Sequence, residues 1–140
     1  MKLNVFVEKP LTDGKPATNL SAYIAEVQGF ITVAPNVRTL QRKIKDALEF
    51  HADGMAEDGF QDPWIIDRNW EFIYHYDLGA LLDLYQGVFN RTNLARVTGL
   101  HESIIKQYIA GTKTPSKKQL LRIQNNLHSF AAGLSEIHIL

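Results

Sequence analysis

Apolar and polar positions along this chain mix strand and helix repeats up to about residue 77 and keep a helical repeat after it. Leu3, Val5 and Val7 alternate with polar neighbours over residues 2–8, Phe6 excepted, and this predicts a half-buried strand. Pro10, Asp13-Gly14 and Pro16 mark residues 10–19 as a loop. Residues 20–27 predict a second strand and Phe30–Val33 a third, with Gln28-Gly29 as a tight turn between them. Asn36 then stands where a helix cap is needed, since its side-chain oxygen accepts from an otherwise unpaired backbone N–H. The helix that follows carries Leu40, Ile44, Ala47, Leu48, His51 and Met55 on one face and closes at Gly54 or Gly59. Residues 59–69 predict a loop, and the aromatic run Trp70–Tyr76 a fourth strand.

From Leu78 the repeat is helical throughout. Leu78, Leu81, Leu82 and Tyr85 open a first helix that ends at Gly87. Residues 91–110 predict two helices around Gly99. A last helix follows Pro115, with Ser116 as its cap or in its first turn. Leu120, Ile123, Leu127, Phe130, Ala131 and Leu134 form a stripe along it that is expected to continue the core. The expected fold class is α+β: a β-β-β-α-β sheet domain over residues 1–77, then an all-α domain over 78–140.

Charge sharpens this division. The chain has 140 residues and a formal net charge of zero. Residues 1–89 hold 8 Lys+Arg against 13 Asp+Glu, a net of −5, and residues 90–140 hold 7 against 2, a net of +5. Two segments facing two kinds of partner are expected. There is no cysteine, which excludes disulfides and thiolate metal sites and fits a reducing cytoplasm. No apolar run is long enough for a membrane span, and residues 1–8 have no signal-peptide pattern. The final Ile137-His138-Ile139-Leu140 is too apolar for a free tail. It is expected to pair as a short strand or to pack into a dimer interface.

Residues 91–110 satisfy the demands of a helix-turn-helix. Ala95 is small where two helices approach, and Gly99 tolerates a left-handed backbone four positions on. Leu94, Leu100, Ile105 and Tyr108 fall where they lock the helices together. His101, Glu102, Ser103, Lys106 and Gln107 then lie at the start of the second helix, where they would face base edges in a major groove. Arg91, Thr92, Lys113, Lys117, Lys118 and Arg122 are candidates for phosphate contacts. An ordinary helical hairpin would show some of the same features. The joint pattern Leu94-Ala95, Gly99-Leu100, Ile105, Tyr108, Gly111 and Pro115-Ser116 resembles the lambda-repressor-like helix-turn-helix family. Thr98 stands where that family usually has a bulkier apolar residue, so looser packing is expected there.

The strand Ser21-Ala22-Tyr23-Ile24-Ala25-Glu26-Val27, the glycine turn and the helix containing Ile44-Lys45-Asp46-Ala47-Leu48 resemble the HicB antitoxin family. The chain departs from that family at Ala34-Pro35-Asn36 and at Leu40. The resemblance implies a partial RNase H-like domain that blocks a HicA-like ribonuclease toxin, joined to a DNA-binding domain that represses its own operon. It also implies operator DNA and a HicA-like toxin as partners. A homodimer or larger homo-oligomer is expected because a single helix-turn-helix reads few bases and two-fold operators match two-fold proteins; no membrane partner and a cytoplasmic location are expected from the apolar pattern and the lack of cysteine. Asp46, Glu49, Asp53, Glu57 and Asp58 make an acidic stretch suited to a basic toxin, or simply keep a helix hydrated.

Other chemistry is weaker. Glu8, Glu26, Glu49, Asp53 and Asp77 are the carboxylates that a metal-dependent nuclease would draw on, but the first strand has no central carboxylate. His75 and Asp77 would share a strand face, as two metal ligands or as the polar side of a strand end. His51 is expected to be a satisfied histidine at the core edge. Trp64, Trp70, Tyr74 and Tyr76 are expected in core and interdomain packing. No catalytic residue, metal or cofactor is expected. The rival reading is a transcription regulator whose sheet domain senses a small molecule.

Overall fold

Residues 1–12 and 15–140 are described by a computed structural model, and they form a mixed α+β chain. The chain folds as two compact units, Met1–Leu84 and Tyr85–Leu140.

In the first unit the alternating run becomes β1 (Lys2–Glu8), with Leu3, Val5 and Val7 fully buried. Two-residue strands β2 (Leu11–Thr12) and β3 (Lys15–Pro16) pair within the stretch expected to be loop, and the expected Asp13-Gly14 turn lies outside the described residues. β4 (Leu20–Ile24) runs antiparallel to β1, and β5 (Ile31–Ala34) antiparallel to β4. β4 ends earlier than expected, at Ile24, and the expected Gln28-Gly29 turn is present, with Gly29 at φ +79°, preceded by a second turn over residues 24–27. Val27 N–H donates to Ile24 O at 3.1 Å and Phe30 N–H to Val27 O at 3.4 Å. Val27 and Phe30, the two ends of the Gln28-Gly29 turn, are both buried in the core.

Asn36 accepts from Thr39 N–H at 2.8 Å and caps α1 (Val37–Glu57). Val37, Leu40, Ile44, Leu48 and Ala52 form its buried stripe. Each large aliphatic there contributes on the order of 1.5–3 kcal/mol before the entropy of ordering is counted. The expected loop 59–69 contains a short helix, α2 (Pro63–Ile66), that seats Trp64 and Ile65 in the core. β6 (Glu71–Tyr76) then pairs parallel to β1, giving the order β5-β4-β1-β6.

The next helix, α3 (Leu78–Leu84), belongs to this unit, so the units divide at Leu84/Tyr85 rather than at the expected Asp77. Polar bonds hold it there. Asp77 accepts from Ala80 N–H at 2.7 Å and from Lys9 N–H at 3.1 Å. Asp83 accepts from Lys9 Nζ at 3.3 Å and from Val37 N–H at 3.2 Å.

The second unit consists of α4 (Arg91–Thr98), α5 (Glu102–Ala110) and α6 (Lys117–Ser135). Asn90 and Asn93 cap α4 reciprocally, each side chain bonding the other's backbone N–H. Leu94, Ala95, Thr98, Leu100, Ile105 and Ile123 are its buried residues. The stripe expected along the last helix is corrected here. Only Ile123 is buried on α6, whereas Leu120, Phe130, Ala131 and Leu134 are exposed and Leu127 is half-buried.

Candidate nucleic-acid interface

The geometry of the second unit begins at Gly99. It ends α4 with φ +72°, and its N–H returns to Ala95 O at 2.9 Å. A non-glycine residue in this left-handed region pays about 1–2 kcal/mol. α6 fastens the turn from outside: Asn126 Nδ2 donates to Thr98 O at 2.6 Å and Arg122 Nη2 to Gly99 O at 3.2 Å. Thr98 is fully buried, and its hydroxyl donates to Leu94 O at 2.8 Å. The looseness expected at Thr98 is therefore absent: the hydroxyl is satisfied within α4 and the carbonyl by α6.

The anchored turn presents the first turns of α5. His101, Glu102, Ser103 and Lys106 are exposed or nearly so at its start. His101 precedes the helix, with Nδ1 3.1 Å from Ser103 Oγ. Thr92 Oγ1 donates to Glu102 Oε1 at 3.2 Å, so these two candidates bond to each other. Gln107 departs from expectation: it is half-buried, and its covered side-chain oxygen has no hydrogen-bond partner among the described residues. Arg91, Lys113, Lys117 and Lys118 are exposed. Arg122 is also exposed, but its guanidinium is engaged by the Gly99 carbonyl. Arg96, exposed in the last turn of α4, adds a cation not singled out from sequence. Asn126 was missed as well, because nothing in a helical repeat marks a residue that fastens a turn in another element.

Charge within the unit is unevenly spread. All seven Lys and Arg residues lie between Arg91 and Arg122, and none lies from Ile123 to Leu140. An exposed helix start amid such cations suits a polyanion, whose phosphates supply most of the affinity while base edges supply preference.

The first unit offers different surfaces. The face of its sheet opposite α1 carries a row across all four strands: Ile31, Tyr23, Phe6 and His75. Phe6 stacks between Tyr23 at 5.1 Å and His75 at 4.7 Å. The rings cover one another's faces, which leaves mainly edges for a partner and little platform for nucleobases. On α1, Asp46, Glu49, Asp53 and Glu57 lie along one stripe beside the exposed Phe50. Asp53 is engaged by Arg68 at 2.5 Å.

Of the carboxylates and histidines considered for metal chemistry, Glu26, Asp53, Asp77 and His75 serve other contacts. Glu26 accepts from Asn4 Nδ2 at 2.6 Å and from Asn4 N–H at 2.9 Å. Burial pushes its carboxyl up, but these bonds and the nearby His75 outweigh burial and hold it below its ordinary value. Asp77 stays above its ordinary value, because burial outweighs the bonds from Ala80 and Lys9. His75 Nε2 lies 2.9 Å from Asn4 Oδ1. Among the described residues, no three His, Asp or Glu converge to hold a metal ion. His51 is stacked on Trp64, and its buried Nε2 has no hydrogen-bond partner among the described residues, against the expectation of a satisfied histidine. Trp64 is buried as expected. Tyr74 is half-buried and pushed up to about 12 by burial and by Tyr76.

No helix among the described residues is long and apolar enough to cross a membrane. No protein-family model matches the chain, and no curated protein or solved structure matches it significantly.

Proposed function

We propose that the second unit is a DNA-binding helix-turn-helix and that the whole chain is a HicB-type antitoxin and autorepressor. The single observation that carries the DNA reading is the exposed start of α5, held by a fastened Gly99 turn within the cationic stretch from Arg91 to Arg122. In this reading His101, Ser103 and Lys106 meet base edges. Arg91, Lys113 and Lys117 meet phosphates, with Arg96 added to them.

The first unit acts as the toxin-neutralising half. Its net charge of −5 and the acidic stripe around Phe50 suit a small basic ribonuclease. The partial RNase H-like relation and the HicA-like partner rest on the sequence resemblance alone.

Fluorescence anisotropy with the duplex upstream of this chain's own coding region tests the DNA half. Lys106→Ala is expected to weaken specific binding roughly tenfold or more, in line with ~1–3 kcal/mol for a base contact. Lys117→Ala is expected to reduce the salt slope by about one. Unchanged affinity and slope in both variants would remove the proposed docking. Co-expression with the product of the adjacent gene tests the toxin half.

A further inference from the structure

The first unit is acidic on balance, yet its charge is sorted along α1. Residues 27–45 hold Arg38, Arg42, Lys43 and Lys45 and no carboxylate, whereas residues 46–67 hold seven Asp and Glu and no Lys or Arg. The cations therefore crowd the N-terminal half of α1 and the carboxylates its C-terminal half. This order opposes the helix dipole, which favours anions at the N-terminus and cations at the C-terminus. All four cations are exposed, and among the described residues none of them makes an ion pair. Arg42 has Asp46 one turn onward but turns the other way: its Nη2 donates to Thr39 Oγ1 at 3.4 Å. That directs its guanidinium toward the first turn, where Arg38 stands on the same face.

Arg38, Gln41 and Arg42 line a hollow of about 450 Å³. Gln41 Nε2 donates to the Tyr76 hydroxyl at 2.8 Å, which ties its amide to the end of β6 and leaves its Oε1 as an acceptor. We infer that this hollow binds a small phosphomonoester. Arg38 and Arg42 donate to the phosphate oxygens, and Gln41 Oε1 accepts from a hydroxyl or amine of the rest of the molecule. Two guanidiniums with no carboxylate between them repel each other until an anion bridges them, and a phosphate offers several oxygens to their planar donor forks. The site is built from side chains, since the helix start is already occupied: Val37 N–H donates to Asp83 and Thr39 N–H to Asn36. Asp83 is itself countered by Lys9 at 3.3 Å.

Size and charge select the ligand. The hollow falls within the ~300–1,000 Å³ of small-molecule sites and has room beyond the phosphate. A nucleic-acid backbone laid along α1 would meet Asp46 and Glu49, one turn past Arg42 and Lys45, and be repelled there. A monocarboxylate carries a single charge and would leave one guanidinium uncompensated. The site is independent of the operator reading, because its residues lie in the first unit and the cations of that reading in the second.

Amide NMR spectra of the full chain, titrated at constant ionic strength with inorganic phosphate, adenosine monophosphate or adenosine, are the test. Saturable shifts are expected at Arg38, Gln41 and Arg42 with the two phosphates and not with adenosine. Adenosine monophosphate is expected to bind the more tightly, because it also reaches Gln41. Arg38→Gln and Arg42→Gln are each expected to weaken binding roughly tenfold or more, as the loss of a hydrogen bond to a charged group predicts. Lys43→Gln, on the same helix but outside the hollow, is expected to leave it unchanged. All three positions are exposed, and spectra that keep their pattern elsewhere show that each variant is folded. No saturable shift at the three residues up to ~10 mM of either phosphate, ten times a millimolar Kd, overturns the site. So does equal weakening by Lys43→Gln, which would mean diffuse attraction, and so do shifts confined to α5 and α6. A single-stranded oligonucleotide that shifts Arg38 and Arg42 where neither small phosphate does would also overturn it, in favour of a polyanion.

Discussion

β1 and α6 carry apolar patterns of similar regularity, and the chain uses them in opposite ways. β1 is an inner strand, between β4 and β6, and Leu3, Val5 and Val7 are fully buried. α6 has 19 residues and buries Ile123 alone. A periodic stripe identifies which face of an element avoids water; it does not identify what covers that face. In the first unit the sheet and α1 cover each other within one chain. In the second, α4 and the Gly99 turn cover α6 from Ile123 to Leu127, Phe130 meets Phe89, and the apolar side chains beyond stay exposed.

The sharpest way to break this contrast is at the core of the first unit. Leu48→Ala is expected to cost about 2–5 kcal/mol in chemical denaturation, because it opens a cavity under a fully buried side chain. A loss below about 1 kcal/mol would mean that α1 is not seated as described. Next, Gly99→Ala is expected to cost about 1–2 kcal/mol of helical-unit stability. The added Cβ would find Arg122 Nη2 at 3.5 Å, an ordinary contact, so the left-handed backbone sets the cost. A neutral result would show that the turn relaxes.

Glu26→Gln is smaller, about 1 kcal/mol near neutral pH, since a charge-assisted pair of bonds becomes a neutral one. Its pH dependence has a fixed sign. The carboxyl is held below its ordinary value in the folded chain, so its stabilisation is complete above that ordinary value. It is lost as pH falls through the folded-state value. The variant should therefore lose less stability than the wild type on acidification. Asp77, raised on folding, works the other way: it favours the folded state as pH falls. Smallest of all, Leu121→Ala is expected to stay within about 0.5 kcal/mol, since this leucine is exposed. A large loss there would show that α6 is covered more widely than described.

Much of the fold was legible. The alternation in β1, the Asn36 cap, the α1 stripe and the Gly99 turn follow from local chemistry that acts within a few residues. Phe6, out of phase in the strand pattern, is explained only by cross-strand neighbours: it stacks between Tyr23 and His75 on the outer face. The place where the units divide was misread because a change of repeat at Leu78 marks a change of element, whereas Asp77 and Asp83 bind α3 to the first unit. The exposure of Lys106 near the start of α5 was legible. The covered oxygen of Gln107, the engagement of Arg122 by Gly99 and the role of Asn126 depend on side chains meeting across distant positions, which one-dimensional spacing does not record.

The central claim is that the cationic stretch around α5 docks on duplex DNA, and the salt dependence of that binding tests it most directly. Affinity of the full chain for its own upstream duplex should be measured from about 50 to 200 mM salt. The logarithm of the affinity is expected to fall linearly with the logarithm of salt, with a slope of several units and a clear preference over a scrambled duplex. An affinity that ignores salt, or one that does not distinguish the two duplexes at any salt, would contradict the account.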